Sequence, residues 1–240
     1  AETDPQLEKQ FLRLQAKLFG YLKPLYATLV RYPISDQSVN ARYARTFGYQ
    51  QNDRIKEALI EINRLILEYP ENPFYYEAKA QILFEDGRVL EALQPYGKAV
   101  EYLPSSALLR MSYARALISS EDDQFLDNAI KNLEIALDAD PDDSFGWKQA
   151  SIAYHRMNNN GMTYYSTAQH FLLSGNIRGA MVNAKKALDI LPKGSPNWIK
   201  SQDIMVVTES HLSDDEKKRR KKNKKENREI RQKERQRGLI

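Results

Sequence analysis

The chain lacks cysteine altogether and has few of the residues from which most catalytic and metal sites are built. Its 240 residues include no cysteine and three histidines, His155, His170 and His211. The absence of cysteine excludes disulfide frameworks, thiol catalysis and cysteine-ligated zinc. An HExxH motif, a glycine-rich phosphate loop and a GxSxG turn are also absent. The sequence therefore predicts a chain without a catalytic residue, a metal ligand or a cofactor of its own.

Long apolar runs are missing as well. No stretch approaches the roughly 18 consecutive apolar residues that a membrane helix needs, so no transmembrane segment is predicted. The first five residues do not form the beginning of a signal peptide, and we expect the chain to have been cut from a longer precursor. The 42% of apolar residues is nevertheless enough to bury a sizeable core.

The charge is distributed unevenly along the chain. Residues 212–240 contain thirteen Lys or Arg and six Asp or Glu, a net charge of +7, whereas the whole chain carries +4 and residues 1–211 therefore carry −3. We interpret residues 212–240 as a basic tail that is disordered or a solitary helix. The alternative is an electrostatic contact with an anionic surface. Residues 213–237 contain no aromatic side chain to stack on bases, so specific nucleic-acid binding is not predicted.

Alanines and prolines recur along the chain at a fixed spacing that is typical of a helical repeat. Pro70 and Pro104 are 34 residues apart, which is the period of the tetratricopeptide repeat (TPR). Each of four copies has an alanine upstream of a proline: Ala58 and Pro70, Ala92 and Pro104, Ala129 and Pro141, Ala180 and Pro192. Alanine lets two antiparallel helices cross closely, and proline ends the second helix. The pattern predicts an all-α fold, a right-handed TPR superhelix of about four repeats.

Departures from this period divide the chain. The turn within residues 119–127 has three extra residues, and the 51 residues from Pro141 to Pro192 are too many for one repeat and too few for two. We interpret residues 144–157 as an unpaired helix inserted before the last repeat. The predicted organisation is a helical segment at 1–37 that packs on the repeats, a solenoid at 38–211 that ends in a capping helix at 195–208, and the tail at 212–240.

The 34-residue register also predicts which residues line a groove. The concave face of a TPR stack is lined by first-helix residues and usually binds the partner. The candidates are aromatic, polar or charged, apart from Met111 and Ile152: Tyr43, Phe47, Gln50, Phe74, Glu77, Gln81, Phe84, Met111, Arg115, Phe145, Lys148, Ile152 and His155. They lack the Lys and Asn arrangement with which chaperone-binding TPRs hold a terminal carboxylate. Together they predict a groove for extended or partly unfolded polypeptide, although each aromatic residue has the alternative of packing in the core.

Short motifs in a fixed order give a more specific resemblance. They are KLFGYL at 17–22, RYP at 31–33, ARYAR at 41–45, NP at 72–73 and GSPNW at 194–198. In this order the chain resembles the C-terminal TPR domain of bacterial M48-family zinc metallopeptidases, a family of envelope proteases that includes the β-barrel assembly-enhancing protease. The resemblance covers residues 7–204 and leaves out the basic tail.

The resemblance implies a function for the parent protein. An HExxH protease domain that holds the zinc is expected upstream of this domain, so no catalytic or zinc residue is carried over to the chain. The parent is expected to be a periplasmic protease in outer-membrane protein quality control. This domain would then dock substrates or the assembly machinery. A second hypothesis is a free-standing, cytoplasmic TPR adaptor whose tail binds an anionic partner.

Overall fold

The computed structural model describes residues 5–211, and all of the regular elements in this part are helices. They are α1 (Pro5–Leu22), α2 (Leu25–Arg31), α3 (Val39–Gln50), α4 (Ile55–Glu68), α5 (Pro73–Glu85), α6 (Val89–Tyr102), α7 (Ala107–Ser119), α8 (Leu126–Ala139), α9 (Ser144–Arg156), α10 (Asn160–Leu173), α11 (Ile177–Ile190) and α12, described over residues 196–211. The prediction of an all-α fold is confirmed. The chain divides into two compact units between Ala139 and Asp140, while the predicted basic tail lies outside the described residues.

The first unit contains three helical hairpins, formed by α3 with α4, α5 with α6 and α7 with α8. The second helix of each hairpin carries one of the predicted alanines, and Ala58, Ala92 and Ala129 are all fully buried. Pro70 and Pro104 follow the ends of α4 and α6 within two residues. Because a methyl group is the only side chain at each crossing, the two helices of a hairpin can approach closely.

The turns inside these hairpins follow the same period. One residue in each turn has a left-handed backbone, with φ of 56° at Asp53, 79° at Gly87 and 59° at Glu121. These positions are 34 residues apart, so the third hairpin keeps the register up to Glu121. Its extra residues follow that position and form a short 3-10 turn at Asp123–Phe125. The insertion therefore lengthens the entry to α8 and leaves the turn geometry unchanged.

Two helices precede the hairpins and pack on α3. Proline lacks the N–H that the preceding helical turn needs, and Pro24 separates α1 from α2. Helix α1 approaches α3 through the fully buried Ala16 and through Gly20, where a Cβ atom would lie 2.0 Å from the carbonyl oxygen of Ala44. Glycine at position 20 is therefore what permits the close contact between α1 and α3.

A buried ion pair fixes the start of the first hairpin. Arg45 on α3 is fully buried, and its Nε donates a hydrogen bond of 2.8 Å to Glu61 on α4. Its Nη1 donates to the carbonyl oxygens of Pro33 and Asp36, each at 2.8 Å. A buried charge is tolerated only when it is paired and hydrogen-bonded in this way. Arg45 therefore holds the segment that joins α2 to α3 and ties α3 to α4.

The second unit is built around α10. Helix α9 runs antiparallel to α10, with hydrogen bonds between the hydroxyl groups of Ser151 and Thr167 and between those of Ser144 and Ser174. The ring of Trp147 packs edge-on against Tyr165, with ring centroids 5.4 Å apart. The buried core of this unit consists of Tyr165, Ala168, Ala180, Ala184, Ala187 and, from α12, Ile204.

The helix predicted at 144–157 is present as α9, but the interpretation of that helix as unpaired is wrong. The three-residue connection from α9 to α10 folds the two helices into a hairpin. The 51-residue interval from Pro141 to Pro192 therefore contains three packed helices, α9, α10 and α11.

Replacing Arg45 with methionine tests the buried pair. The Arg45→Met variant leaves Glu61 buried without its partner and removes the donor to two carbonyl groups. We expect the free energy of unfolding, measured with urea, to fall by about 3–5 kcal/mol. Arg88→Met is the control, because Arg88 forms an ion pair with Glu91 at the surface and its loss should cost much less. Equal losses for the two variants would contradict the role given to Arg45.

Candidate polypeptide-binding surface

Helix α1 covers the part of the predicted groove that contains Phe47 and Phe74. Lys17 on α1 forms an ion pair of 3.3 Å with Glu77 on α5, and its Nζ lies 4.9 Å from the ring centroid of Phe47. The guanidinium of Arg13 lies 3.7 Å from the ring centroid of Phe74. Both contacts place a cation over the face of an aromatic ring, an arrangement that is favourable by about 0.5–2 kcal/mol. The chain thus places its own N-terminal helix on residues expected to contact a partner.

The prediction that Tyr43 and Phe47 line an open groove is wrong. Both residues are buried, and their rings pack edge-on with centroids 5.1 Å apart. Burial raises the pKa of the Tyr43 phenol far above its ordinary value, and the nearby carboxylate of Glu77 adds to the effect. The register places both rings on the correct helix, but α1 covers that part of α3.

The open part of the predicted groove lies along α5 and α7. Glu77, Gln81 and Phe84 occupy successive turns of one face of α5, and each is partly exposed. Arg115 on α7 is exposed, and its guanidinium lies 4.7 Å from the ring centroid of Phe84. With Glu85 these residues form what we call the α5–α7 surface. The prediction that Met111 lines the groove is wrong, because its side chain is buried in the core of the first unit.

The α5–α7 surface has groups that can bind a peptide backbone. Gln81 donates a hydrogen bond of 2.8 Å to Glu85, which also accepts one from Gln50 of α3. The other amide atom of Gln50, its Oε1, is buried and has no hydrogen-bond partner. Carboxylates, amides and a guanidinium therefore lie on the same surface as Phe84, with the guanidinium over its ring. This arrangement suits reversible binding, since it supplies donors, acceptors and an apolar ring.

Tyr96 on α6 is buried beneath the α5–α7 surface, and the charged side chains of that surface lie close enough to change its pKa. Burial raises the pKa of Tyr96, and the carboxylates of Glu77 and Glu85 raise it further, while Arg115 opposes them. Tyr96 therefore stays neutral and acts as a packing residue under charged neighbours.

Two clefts flank the first half of α1, and Arg13 lines both of them. One has a volume of about 540 Å³ and lies beside Phe74 and the segment that connects α4 to α5. The other, of about 490 Å³, lies between α1 and α3 and includes Tyr75 in its wall. Both volumes are in the range of small-ligand pockets.

The remaining candidates lie in the second unit. Phe145, Lys148, Ile152 and His155 are exposed on one face of α9, at the spacing of successive helical turns. They form an exposed stripe along α9 in that unit. Two described histidines lie outside this stripe. His211 is exposed on α12, whereas His170 is half-buried, and its Nδ1 lies 3.0 Å from the carbonyl oxygen of Ser144. It joins α10 to the first turn of α9 and acts as a structural residue.

No cluster of three or more metal-ligating side chains occurs among residues 5–211. In the same part of the chain no helix is long and apolar enough to cross a bilayer. The sequence reasoning missed Arg13 and Lys17 as contact residues. The sequence feature that could have indicated these contacts is the pair of small residues Ala16 and Gly20, which are four positions apart on the same helix. Such a pair predicts that this side of α1 packs closely on a neighbouring helix.

Comparison with known proteins identifies the class of fold. The chain is similar to the solved structure of MamA (MSR-1), with 16% identity and a TM-score of 0.58 over 70% of this chain and 95% of that one. It is similar to YrrB, a TPR protein with an unusual peptide-binding site, with 17% identity and a TM-score of 0.58 over 72% and 90% of the two chains. A MamA structure from AMB-1 covers 81% of the chain with 15% identity and a TM-score of 0.51.

These similarities confirm the predicted TPR fold. At such low identity they show the fold alone. No protein-family model matches the chain, and no curated protein matches it either.

The contact between α1 and α3 can be tested at Gly20. In Gly20→Val the new Cβ would lie 2.0 Å from the carbonyl oxygen of Ala44, so α1 must move away from α3. We expect trypsin to cleave after Lys9, Arg13 and Lys17 roughly tenfold faster under native conditions, because local opening exposes these sites. Gly97→Ala is the control, since its Cβ meets Tyr113 at an ordinary 3.4 Å. An unchanged cleavage rate in Gly20→Val would contradict the close packing of α1.

Proposed function

We propose that the chain binds extended or partly unfolded polypeptides at the α5–α7 surface. The observation that carries this proposal is the line of Glu77, Gln81 and Phe84 along α5, faced by the exposed Arg115 of α7. Aromatic and arginine side chains are the residues that most often dominate protein interfaces. The polar groups around Phe84 can hydrogen-bond to a peptide backbone, while its ring contacts an apolar side chain.

Two further observations support this surface. Gln50, whose Nε2 donates a hydrogen bond to Glu85 of this surface, has a buried Oε1 without a hydrogen-bond partner among the described residues. YrrB, which shares the fold, is a TPR protein with a peptide-binding site. The mixture of Glu85 and Arg115 favours ligands of mixed charge over a strongly acidic or strongly basic ligand.

Replacing Phe84 with alanine tests the proposal. With a fluorescein-labelled, unstructured peptide of mixed charge as the probe, we expect Phe84→Ala to weaken binding about tenfold in fluorescence anisotropy. The melting temperature should change little, because the ring is only partly buried. Tyr26→Ala is the matched control, since Tyr26 on α2 is an exposed aromatic residue away from this surface. Equal loss of binding and stability in Phe84→Ala would assign the ring to the core.

We further propose that the chain is the substrate- or partner-docking domain of an M48-type envelope zinc metalloprotease. The support is the ordered set of motifs from KLFGYL at 17–22 to GSPNW at 194–198. In this proposal the zinc and the HExxH helix belong to an upstream domain, and the protein is periplasmic. Its polypeptide partners would be unfolded or assembling outer-membrane proteins, the assembly machinery and the protease domain itself.

An antibody raised against this chain separates the two hypotheses in cell fractions. We expect it to detect a protein longer than 240 residues that is released by osmotic shock and contains zinc after purification. A protein of about this chain's length in the cytosolic fraction would instead support the free-standing adaptor. The surface proposal is tested separately by Phe84→Ala and does not depend on this result.

A further inference from the structure

The outward side of α1 carries a continuous apolar stripe. It consists of Leu7, Phe11, Leu14, Leu18 and Tyr21, whose exposed fractions lie between 41% and 62%. We call these five residues the α1 stripe. Single exposed apolar side chains are common on protein surfaces, but a contiguous row of five large ones marks an interaction site.

The spacing of the α1 stripe specifies the kind of partner that fits. Successive members are four, three, four and three residues apart, which is the alternation of a and d positions in a heptad repeat. Such a row packs by inserting its side chains between those of a second helix that has the same repeat. The stripe is therefore complementary to another helix and not to an extended strand.

The rest of the first unit holds α1 in position for such a contact. The side of the helix opposite the stripe is buried on α3 through Ala16 and Gly20. Lys17, which borders the stripe, is paired with Glu77 on α5. A helix that is already folded and attached loses little conformational entropy when it binds a partner.

We propose that the α1 stripe binds the α1 stripe of a second copy of this chain, with the two helices antiparallel. In this register Leu7 packs beside Leu18 of the second copy, and Phe11 packs beside Leu14. Four apolar layers form, related by a twofold axis, as expected for an isologous dimer.

The residues that flank the stripe favour this register. It places Glu8 near Gln15 of the second copy and Gln10 near Lys17, so that no like charges meet. A shift that pairs Leu14 with Leu18 would bring the two copies of Lys17 together, and like charges at such positions are unfavourable. A parallel pair would place the charged Lys17 against Leu22. The contact is one helix wide, so a weak and reversible dimer is expected.

Sedimentation velocity of the full chain tests the dimer. From low to high micromolar protein we expect the average mass to rise from that of one chain toward that of two. The double variant Leu14→Glu, Leu18→Glu should bind its own copy at least tenfold more weakly, because charges would enter the apolar layers. The matched control is Leu67→Glu, Leu108→Glu, which changes two exposed leucines outside α1 and should dimerise like the unaltered chain.

The absence of cysteine allows the register to be tested directly. Leu7→Cys mixed with Leu18→Cys should cross-link with a short bismaleimide. Leu7→Cys alone should not, because the two copies of residue 7 would be roughly 16 Å apart along the helix axis. Circular dichroism confirms that each variant is folded. A monomer at every concentration, a dimer that survives the two glutamates, or efficient cross-linking of Leu7→Cys alone would each overturn the proposal.

Discussion

The first unit depends on one fully buried guanidinium. Arg45 binds Glu61 and the carbonyl oxygens of Pro33 and Asp36, so a single side chain fixes α3 relative to α4 and to the segment before it. Without that pairing the charge could not be buried. Helix α1 rests on the α3 helix that Arg45 holds, and α1 carries both Arg13 and Lys17. The ion pair therefore fixes the helix on which α1 packs, and α1 in turn covers one part of the predicted groove.

The periodic features of the fold could be predicted from the sequence. The alanines Ala58, Ala92 and Ala129 repeat a local requirement, since a small side chain is needed wherever two helices of a hairpin cross. The same register placed Glu77, Gln81 and Phe84 on one face of α5. These predictions succeed because the period of a solenoid makes each hairpin a local structure.

The predictions that were wrong concern residues whose positions depend on contacts between distant parts of the chain. Tyr43 and Phe47 have the register of groove residues, but α1 comes from outside the repeat and covers them. Arg45 and Glu61 are 16 residues apart, and no periodic pattern marks their pairing. The hairpin of α9 and α10 was missed because its interval departs from the 34-residue period. The helices could therefore be predicted from the sequence, whereas the packing between distant segments could not.

The left-handed turn residues have a consequence for how the protein can change in length. Asp53, Gly87 and Glu121 give three hairpins the same connection at the same interval. A gene duplication of one 34-residue stretch would therefore join its neighbours without requiring a new loop conformation. Each added unit would extend the row of first helices by one. Under the proposed function, the length of polypeptide that the row can bind would then evolve in whole steps, through copy number as well as through point substitution.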